Sequence, residues 1–408
     1  MVFLNIYRRV HSNMKTIGII CEYNPFHSGH AMHIEKTREA FGEECAVVCV
    51  MSGNFVQRGD LAVFNKHARA EAAVRCGADL VVEMPSPYAL LSAEGYATAG
   101  VCILDGLGIC DHISFGSESG DVAPLSEAAD AIVSAEADAL IREWLEKGLS
   151  YAAALQKAAD AVLGARSDVF KSPNDLLGIE YLKAIAALGS PLRPIAVKRT
   201  GGAHDGDTGY SASALRKKLL SDEKPWSLIP RDASEVFKNE IELGRGPVSV
   251  KSCEIAILSR LREIKDFSHL PGAVEGLEHR FMRYAAAEPT VEGVLEKIKT
   301  KRYAMSRLRR MIMCACLGIT AEDTAKPPPY IRVLAMNDTG RRALKDARGK
   351  AVLPIIVKPA YSNKLPLRAA EMFRKEAAST DFYVLAYSDE GARAGGQEWR
   401  QGAKVVDS

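Results

Sequence analysis

Ile17-Gly18-Ile19-Ile20-Cys21-Glu22-Tyr23-Asn24-Pro25-Phe26-His27-Ser28-Gly29-His30 is an apolar run that ends in a proline-containing turn, where two histidines flank a glycine. Thr16 to Cys21 reads as a buried strand and Ala31 to Phe41 as a helix. The turn therefore joins the carboxyl end of a strand to the amino end of a helix. The first turn of a helix offers unpaired N–H groups and the positive end of the helix dipole, and both attract phosphate. Gly29 lets a ligand approach the backbone closely. His27 and His30 are three residues apart, so they face the same way on a first helical turn. Imidazole donors there can stabilise charge developing on the α-phosphate of a nucleoside triphosphate. A single histidine beside a turn is more often a solvated or packing residue. The reading rests on the whole combination of strand, Asn-Pro turn and His-x-Gly-His.

The alternation continues outward from this stretch. Cys45 to Met51 reads as a strand, Lys66 to Cys76 as a helix, and Asp79 to Met84 as a strand stopped by Pro85. Ala89 to Leu104 is helical and His112 to Gly116 is a strand. This rhythm predicts an α/β fold with a Rossmann-like, doubly wound parallel sheet. Ligands of such sheets bind beyond the carboxyl ends of the strands, which is where the His-x-Gly-His turn falls. An Ala-rich helical insertion follows over Val122 to Leu163. Then come a helix over Asn174 to Leu188, a strand over Pro194 to Lys198 and a helix over Ser211 to Leu220. The nucleotide-binding domain is expected over residues 14–230. Beyond it, Glu235 to Leu317 is mainly helical and Lys326-Pro327-Pro328-Pro329 is a stiff break. Strand signals over Ile331 to Met336, Pro354 to Val357 and Phe382 to Tyr387 predict a second, mainly helical α/β domain over 231–388. Residues 389–408 read as a flexible tail. Residues 1–13 read as a non-native or loose extension ahead of a natural start at Met14.

Composition is ordinary for a globular chain of 408 residues, with 47% hydrophobic and 25% charged residues. No apolar run is long enough to span a bilayer, so no membrane partner is expected. The nine cysteines are scattered with no Cys-x-x-Cys pair. They read as free thiols in a reducing cytosol, which implies a cytoplasmic protein.

Further residues could carry chemistry. Phe115-Gly116-Ser117-Glu118 ends a strand at the binding edge, where Gly116 is either a turn glycine or a seat for adenine or ribose. Asn174, in Ser172-Pro173-Asn174-Asp175, can cap a helix, contact a ligand or both. Lys198-Arg199-Thr200-Gly201-Gly202 joins positive charge to flexible glycines and suits phosphate. Arg58-Gly59-Asp60 and Lys66-His67-Ala68-Arg69 either line the acceptor side of the cleft or form a solvated face. The net charge is +2, yet residues 297–350 alone carry an excess of ten positive charges. They include Lys297, Lys301, Arg302, Arg307, Arg309, Arg310 and Arg332. A local excess of this size suits a polyanion such as RNA, and Tyr303 within it could stack on a base.

The string Glu22 to His30 resembles the tRNA(Met) cytidine acetate ligase family of the His-x-Gly-His nucleotidyltransferase superfamily. The resemblance runs from about Met14 to about Tyr387. Tyr210-Ser211-Ala212-Ser213-Ala214-Leu215-Arg216 is similar to the superfamily's second phosphate motif, Ile-Ser-Ser-Thr-x-Ile-Arg. Ala212 replaces a serine and Ser213 the threonine, so one hydroxyl is lost. The resemblance implies an ATP site made of Ile20, Cys21, Glu22, Tyr23, Asn24, Pro25, Phe26, His27, Ser28, Gly29, His30, Ala31, Met32, His33, Gly116, Asn174, Arg199, Thr200, Ser211, Ser213 and Arg216. Within it, His27 and His30 are expected to be catalytic. The implied enzyme is a carbon–nitrogen ligase that spends ATP to AMP and pyrophosphate. It makes acetyl-adenylate and acetylates the wobble cytidine of elongator tRNA(Met) to N4-acetylcytidine. Mg²⁺ is an expected companion of the triphosphate, though no carboxylate cluster marks its ligands. Without the resemblance, two alternatives stand. One is a small-molecule adenylyltransferase of cofactor synthesis, and the other a non-catalytic ATP- and RNA-binding protein.

Overall fold

The computed structural model describes residues 14–42, 44–199, 211–221, 223–273 and 276–407. Its strands are β1 (Thr16–Cys21), β2 (Ala46–Ser52), β3 (Phe55–Val56), β4 (Asp60–Leu61), β5 (Leu80–Met84), β6 (His112–Ser117), β7 (Arg193–Lys198), β8 (Ile331–Met336), β9 (Ile355–Ile356) and β10 (Lys404–Val405). The main sheet runs β10-β8-β5-β2-β1-β6-β7, with β9 paired to β8, while β3 and β4 form a separate hairpin. From β5 to β7 every pairing is parallel. The successor of β1 lies on one side of it and β6 on the other. The topological switch point is thus the crevice between β1 and β6, the place where such sheets receive ligands.

The longer helices are α1 (Ser28–Glu39), α2 (Lys66–Arg75), α3 (Ala93–Gly106), α4 (Val122–Ile132), α5 (Ala135–Glu146), α6 (Tyr151–Leu163), α7 (Pro173–Leu188), α8 (Ala212–Leu220), α9 (Arg231–Glu242), α10 (Glu254–Glu263), α11 (Leu277–Ala287), α12 (Val291–Ile298), α13 (Met305–Leu317), α14 (Asp338–Ala347) and α15 (Leu367–Tyr383). The central strands are apolar on both faces because both faces are covered. Ile19 of β1 packs with Ile34, Phe64 and Phe237 of one core. Ile20, its neighbour, packs with Tyr96, Phe115 and Ile179 of the other. β1 and α3 lie close together. A Cβ on Gly18 would sit 2.5 Å from Leu104 Cδ1, and one on Gly100 2.5 Å from Ile20 Cδ1. A third core gathers α10 to α13 with Phe55 and Leu61 of the hairpin.

The second half departs from the sequence expectation. β8 joins the main sheet antiparallel to β5, and β9 and β10 extend that edge. These strands build no sheet of their own, and α9 covers α2 in the first half's core. Phe382 to Tyr387, expected as a strand, is the end of α15 followed by a tight turn of helix over Val384–Ala386. Residues 389–407 do not fray. A short turn of helix over Gln397–Arg400 buries Glu398 completely, and β10 then pairs with β8.

Glu398 belongs to a buried charge cluster. Lys66 Nζ lies 2.6 Å from Glu83, 2.7 Å from Glu398 and 3.5 Å from Glu376. Arg332 Nε lies 3.3 Å from Glu398. Burial alone would lower the Lys66 ammonium, but Glu398, Glu83 and Glu376 outweigh it and hold it above its ordinary value. Burial pushes the Glu83 carboxyl well up. Lys66 and Arg332 thus face three carboxyl groups in a dry interior, where burial favours the neutral form of Glu83. Lys66 is therefore neither cleft-lining nor solvated, and Arg332 leaves the basic surface.

Candidate active site

α1 begins on a histidine cap. His27 has extended backbone and its Nδ1 accepts from Gly29 N–H at 3.0 Å, while His27 N–H donates to His30 Nδ1 at 3.3 Å. This reciprocal pairing is a capping box with histidine in both places, where Ser and Glu are usual. The two rings stack with centroids 3.8 Å apart. A Cβ on Gly29 would lie 2.9 Å from His27 Cε1, so the fold of the ring over the helix start requires glycine.

These bonds assign the tautomers. An imidazole nitrogen that accepts carries no proton, so each neutral ring bears its hydrogen on Nε2. Burial, then the charges of Arg199 and Arg216, hold His27 down at about 4. Burial and the neighbouring rings lower His30 well below the usual histidine range. His33 is also held at about 4, by burial and Arg199, and its Nε2 lies 3.0 Å from Ser114 Oγ. At neutral pH the unliganded site thus presents neutral Nε2–H donors from His27 and His30, with positive charge supplied by arginine.

The preceding turn is buried. Tyr23 has φ +46°, the one non-glycine positive φ among the described residues, and Asn24–Pro25 is cis. Tyr23, Asn24 and Phe26 are buried, and Tyr23 and Phe26 pack in the core. Asn24 Oδ1 accepts from Val63 N–H and its carbonyl from Arg216 Nη1, both at 2.8 Å. Arg216 thereby ties α8 to this turn, and Ser211 caps α8 by accepting from Ala214 N–H at 3.1 Å. Ser213 lies half-buried in the first turn of α8. Ser28 Oγ donates to the Leu228 carbonyl at 3.0 Å, and Met32 is 39% exposed.

Gly116 near the end of β6 lies beneath Arg199, with Cγ 3.4 Å from where a Cβ would stand. Glu118 Oε1 accepts from Asn174 Nδ2 at 2.5 Å and lies 3.8 Å from Arg199 Nε. Asn174 sits in the first turn of α7, but the cap is Ser172, with Pro173 opening the helix. Asn174 is therefore not the helix cap, and its amide is spent on Glu118. Thr200 lies outside the described residues. Sequence reasoning missed Glu118 and Asp175, which lock this corner. Asp175 Oδ1 accepts from Glu118 N–H at 3.0 Å and from Ser117 Oγ. Their adjacency to Gly116 and Asn174 is the only signal the sequence held.

Among the described residues, no group of three His, Cys, Asp or Glu side chains is arranged to hold a metal, and no helix is long and apolar enough to cross a membrane. Tyr303, expected to stack on a base, is buried, with the Arg307 guanidinium 5.1 Å from its ring centre.

A paired-imidazole helix start at the switch point of a parallel sheet defines a nucleotidyl transferase. Residues 14–398 match the HIGH Nucleotidyl Transferase family model. Within that class the chain belongs to the tRNA(Met) cytidine acetate ligase family. It is 35% identical to the tRNA(Met) cytidine acetate ligase of Acetivibrio thermocellus, covering 96% of this chain and 100% of that protein. It is 37% identical to that of Caldicellulosiruptor saccharolyticus, covering 92% and 95%. The crystal structure of Thermotoga maritima TmcAL bound with alpha-thio ATP superposes with a TM-score of 0.90 at 33% identity, covering 97% of this chain and 100% of that one.

Proposed function

We propose that this chain activates acetate with ATP and transfers the acetyl group to the wobble cytidine of elongator tRNA(Met). The observation that carries the reading is the pair of Nε2–H imidazoles at the start of α1, with Arg199 and Arg216 around them. A free carboxylate is a poor acyl donor because oxide would have to leave. Attack of acetate on the α-phosphorus expels pyrophosphate and makes AMP the later leaving group. His27 and His30 donate to the α-phosphoryl oxygens as charge grows there, and the arginines restrain the phosphates. The substrate is the Mg²⁺ complex of ATP, its cation held by phosphate oxygens and water. Acetate-dependent exchange of pyrophosphate into ATP is the direct test. Labelled acetate should then appear as N4-acetylcytidine in unmodified tRNA. Exchange driven by a nucleoside monophosphate instead of acetate would favour the cofactor-making alternative.

The RNA surface in this reading lies on the turn between α12 and α13. Lys297, Lys301 and Arg302 are exposed there. Arg307 instead donates to the Gly272 carbonyl at 3.2 Å and Arg310 to that of Gln57 at 3.4 Å, so both also hold structure. Reversing Lys297, Lys301 and Arg302 to Glu should weaken tRNA binding and flatten its salt dependence by about three charges. Filter binding across a salt series reads both. Pyrophosphate exchange should be unchanged.

A further inference from the structure

Acyl transfer to an amine releases a proton, and the chemistry above gives it no acceptor. Resting on that reading, we propose that Glu22 is the general base of the transfer step. The N4 lone pair of cytidine attacks the carbonyl carbon of acetyl-adenylate. The bond from that carbon to the phosphate oxygen breaks, and AMP leaves with the electron pair. The N4 proton passes to the Glu22 carboxylate and from there to water.

The carboxylates at this edge of the sheet differ in how they are held. Glu83 is sealed in the buried cluster with Lys66. Glu118 spends both oxygens, one on Asn174 and the other on the Asp175 N–H at 3.1 Å. Asp175 accepts from Ser117 and Glu118. Asp60 accepts from Leu61 N–H at 2.9 Å, and its charge is offset by Arg216 and Arg309. Glu22 is half-buried, one residue past β1 on the turn that leads to His27. Its Oε1 accepts from Gln57 N–H at 2.7 Å, and Oε2 has no hydrogen-bond partner among the described residues.

The side chain is held for work at one place. Arg69, fully buried, donates to the Glu22 carbonyl at 2.5 Å and to the Ser52 carbonyl at 3.0 Å, clamping the ends of β1 and β2 together. Tyr96 OH donates to the Cys21 carbonyl at 3.0 Å. The residue that orients the carboxylate, Gln57, also faces the basic helix. Its carbonyl accepts from Arg310, and Gly59, with φ +78°, fits so closely that a Cβ would lie 2.3 Å from Arg310 N. The β3–β4 hairpin thus joins α13 to Glu22 through a single residue. On this proposal an RNA base enters from the α12–α13 side, where the hairpin meets Glu22.

The test separates the two half-reactions in the full-length enzyme. E22Q is loaded with ATP and labelled acetate, then mixed with unmodified elongator methionine tRNA in a single turnover. We expect transfer to fall at least about 10²-fold, the ordinary range for loss of a general base. Acetate-dependent exchange, which draws on the same ATP-site motif, should fall less than transfer, and an unchanged melting temperature shows that the variant folds. E22D should recover part of the transfer rate, and E22Q should lose the acid limb of the transfer pH profile. Transfer at the wild-type rate overturns the proposal, as does an equal fall in both half-reactions. Loss of transfer in D60N with E22Q normal gives the role to Asp60. A wild-type enzyme with no acetate-dependent exchange overturns the parent reading instead, and this one with it.

Discussion

Replacing His30 with alanine should lower acetate-dependent pyrophosphate exchange by about 10²–10³-fold, the usual loss when one donor to a developing oxyanion is removed. The same loss is expected at His27. His30 Nδ1 also accepts from the His27 N–H, and the His27 ring holds the helix start from the other side. Its Nδ1 caps α1, so His27→Ala also costs about 1 kcal/mol of stability. Asparagine separates the two roles. It caps a helix well but offers no Nε2–H at the same reach, so His27→Asn should keep the melting temperature and still lose exchange. Binding of tRNA should stay within about twofold in all three variants. Unchanged exchange in His30→Ala would remove the imidazole pair from the chemistry.

The second large effect concerns stability. Lys66→Met leaves Glu83, Glu376 and Glu398 in a dry interior without the ammonium they share, while the Arg332 contact to Glu398 remains. Breaking a buried ion network from one side costs about 3–5 kcal/mol, a large fraction of a typical folding free energy. Chemical denaturation should show that loss, and ATP should restore only part of it by binding the native state. Adding Glu398→Gln to Lys66→Met should cost less than the sum of the single changes, because the second change removes a carboxylate that has already lost its ammonium partner. Full additivity would mean that the two side chains do not interact.

The first half of the sheet and the strand, turn and helix that carry the candidate site were legible because their signals are local. An apolar strand, a breaking turn and a helix start occupy fifteen consecutive residues from Thr16 to His30, so their order in sequence is their order in space. Lys66, Arg69 and Arg332 were not legible, because long cations are rarely buried and their partners are distant. Lys66 meets Glu376 and Glu398 more than 300 residues along the chain. Pairing of β8 with β5 was hidden for the same reason, since an alternating pattern marks a strand without naming its neighbour. Glu22 was legible as part of a motif but not as an individual. Its distinguishing bond comes from Gln57, on a hairpin too short to leave a pattern.

The link from Glu398 to Lys66 sets an order on biosynthesis. While the nascent polypeptide has emerged only through α9, β5 lacks its β8 neighbour and Lys66 lacks two of its three carboxylates. The strand, turn and helix of the candidate site are made early, yet the Lys66 cluster is closed only when Glu398 and β10 arrive. A transcript cut short ahead of Glu398 would encode His27, His30, Arg199 and Arg216 on a scaffold whose buried Arg332 has lost the carboxylate it faces.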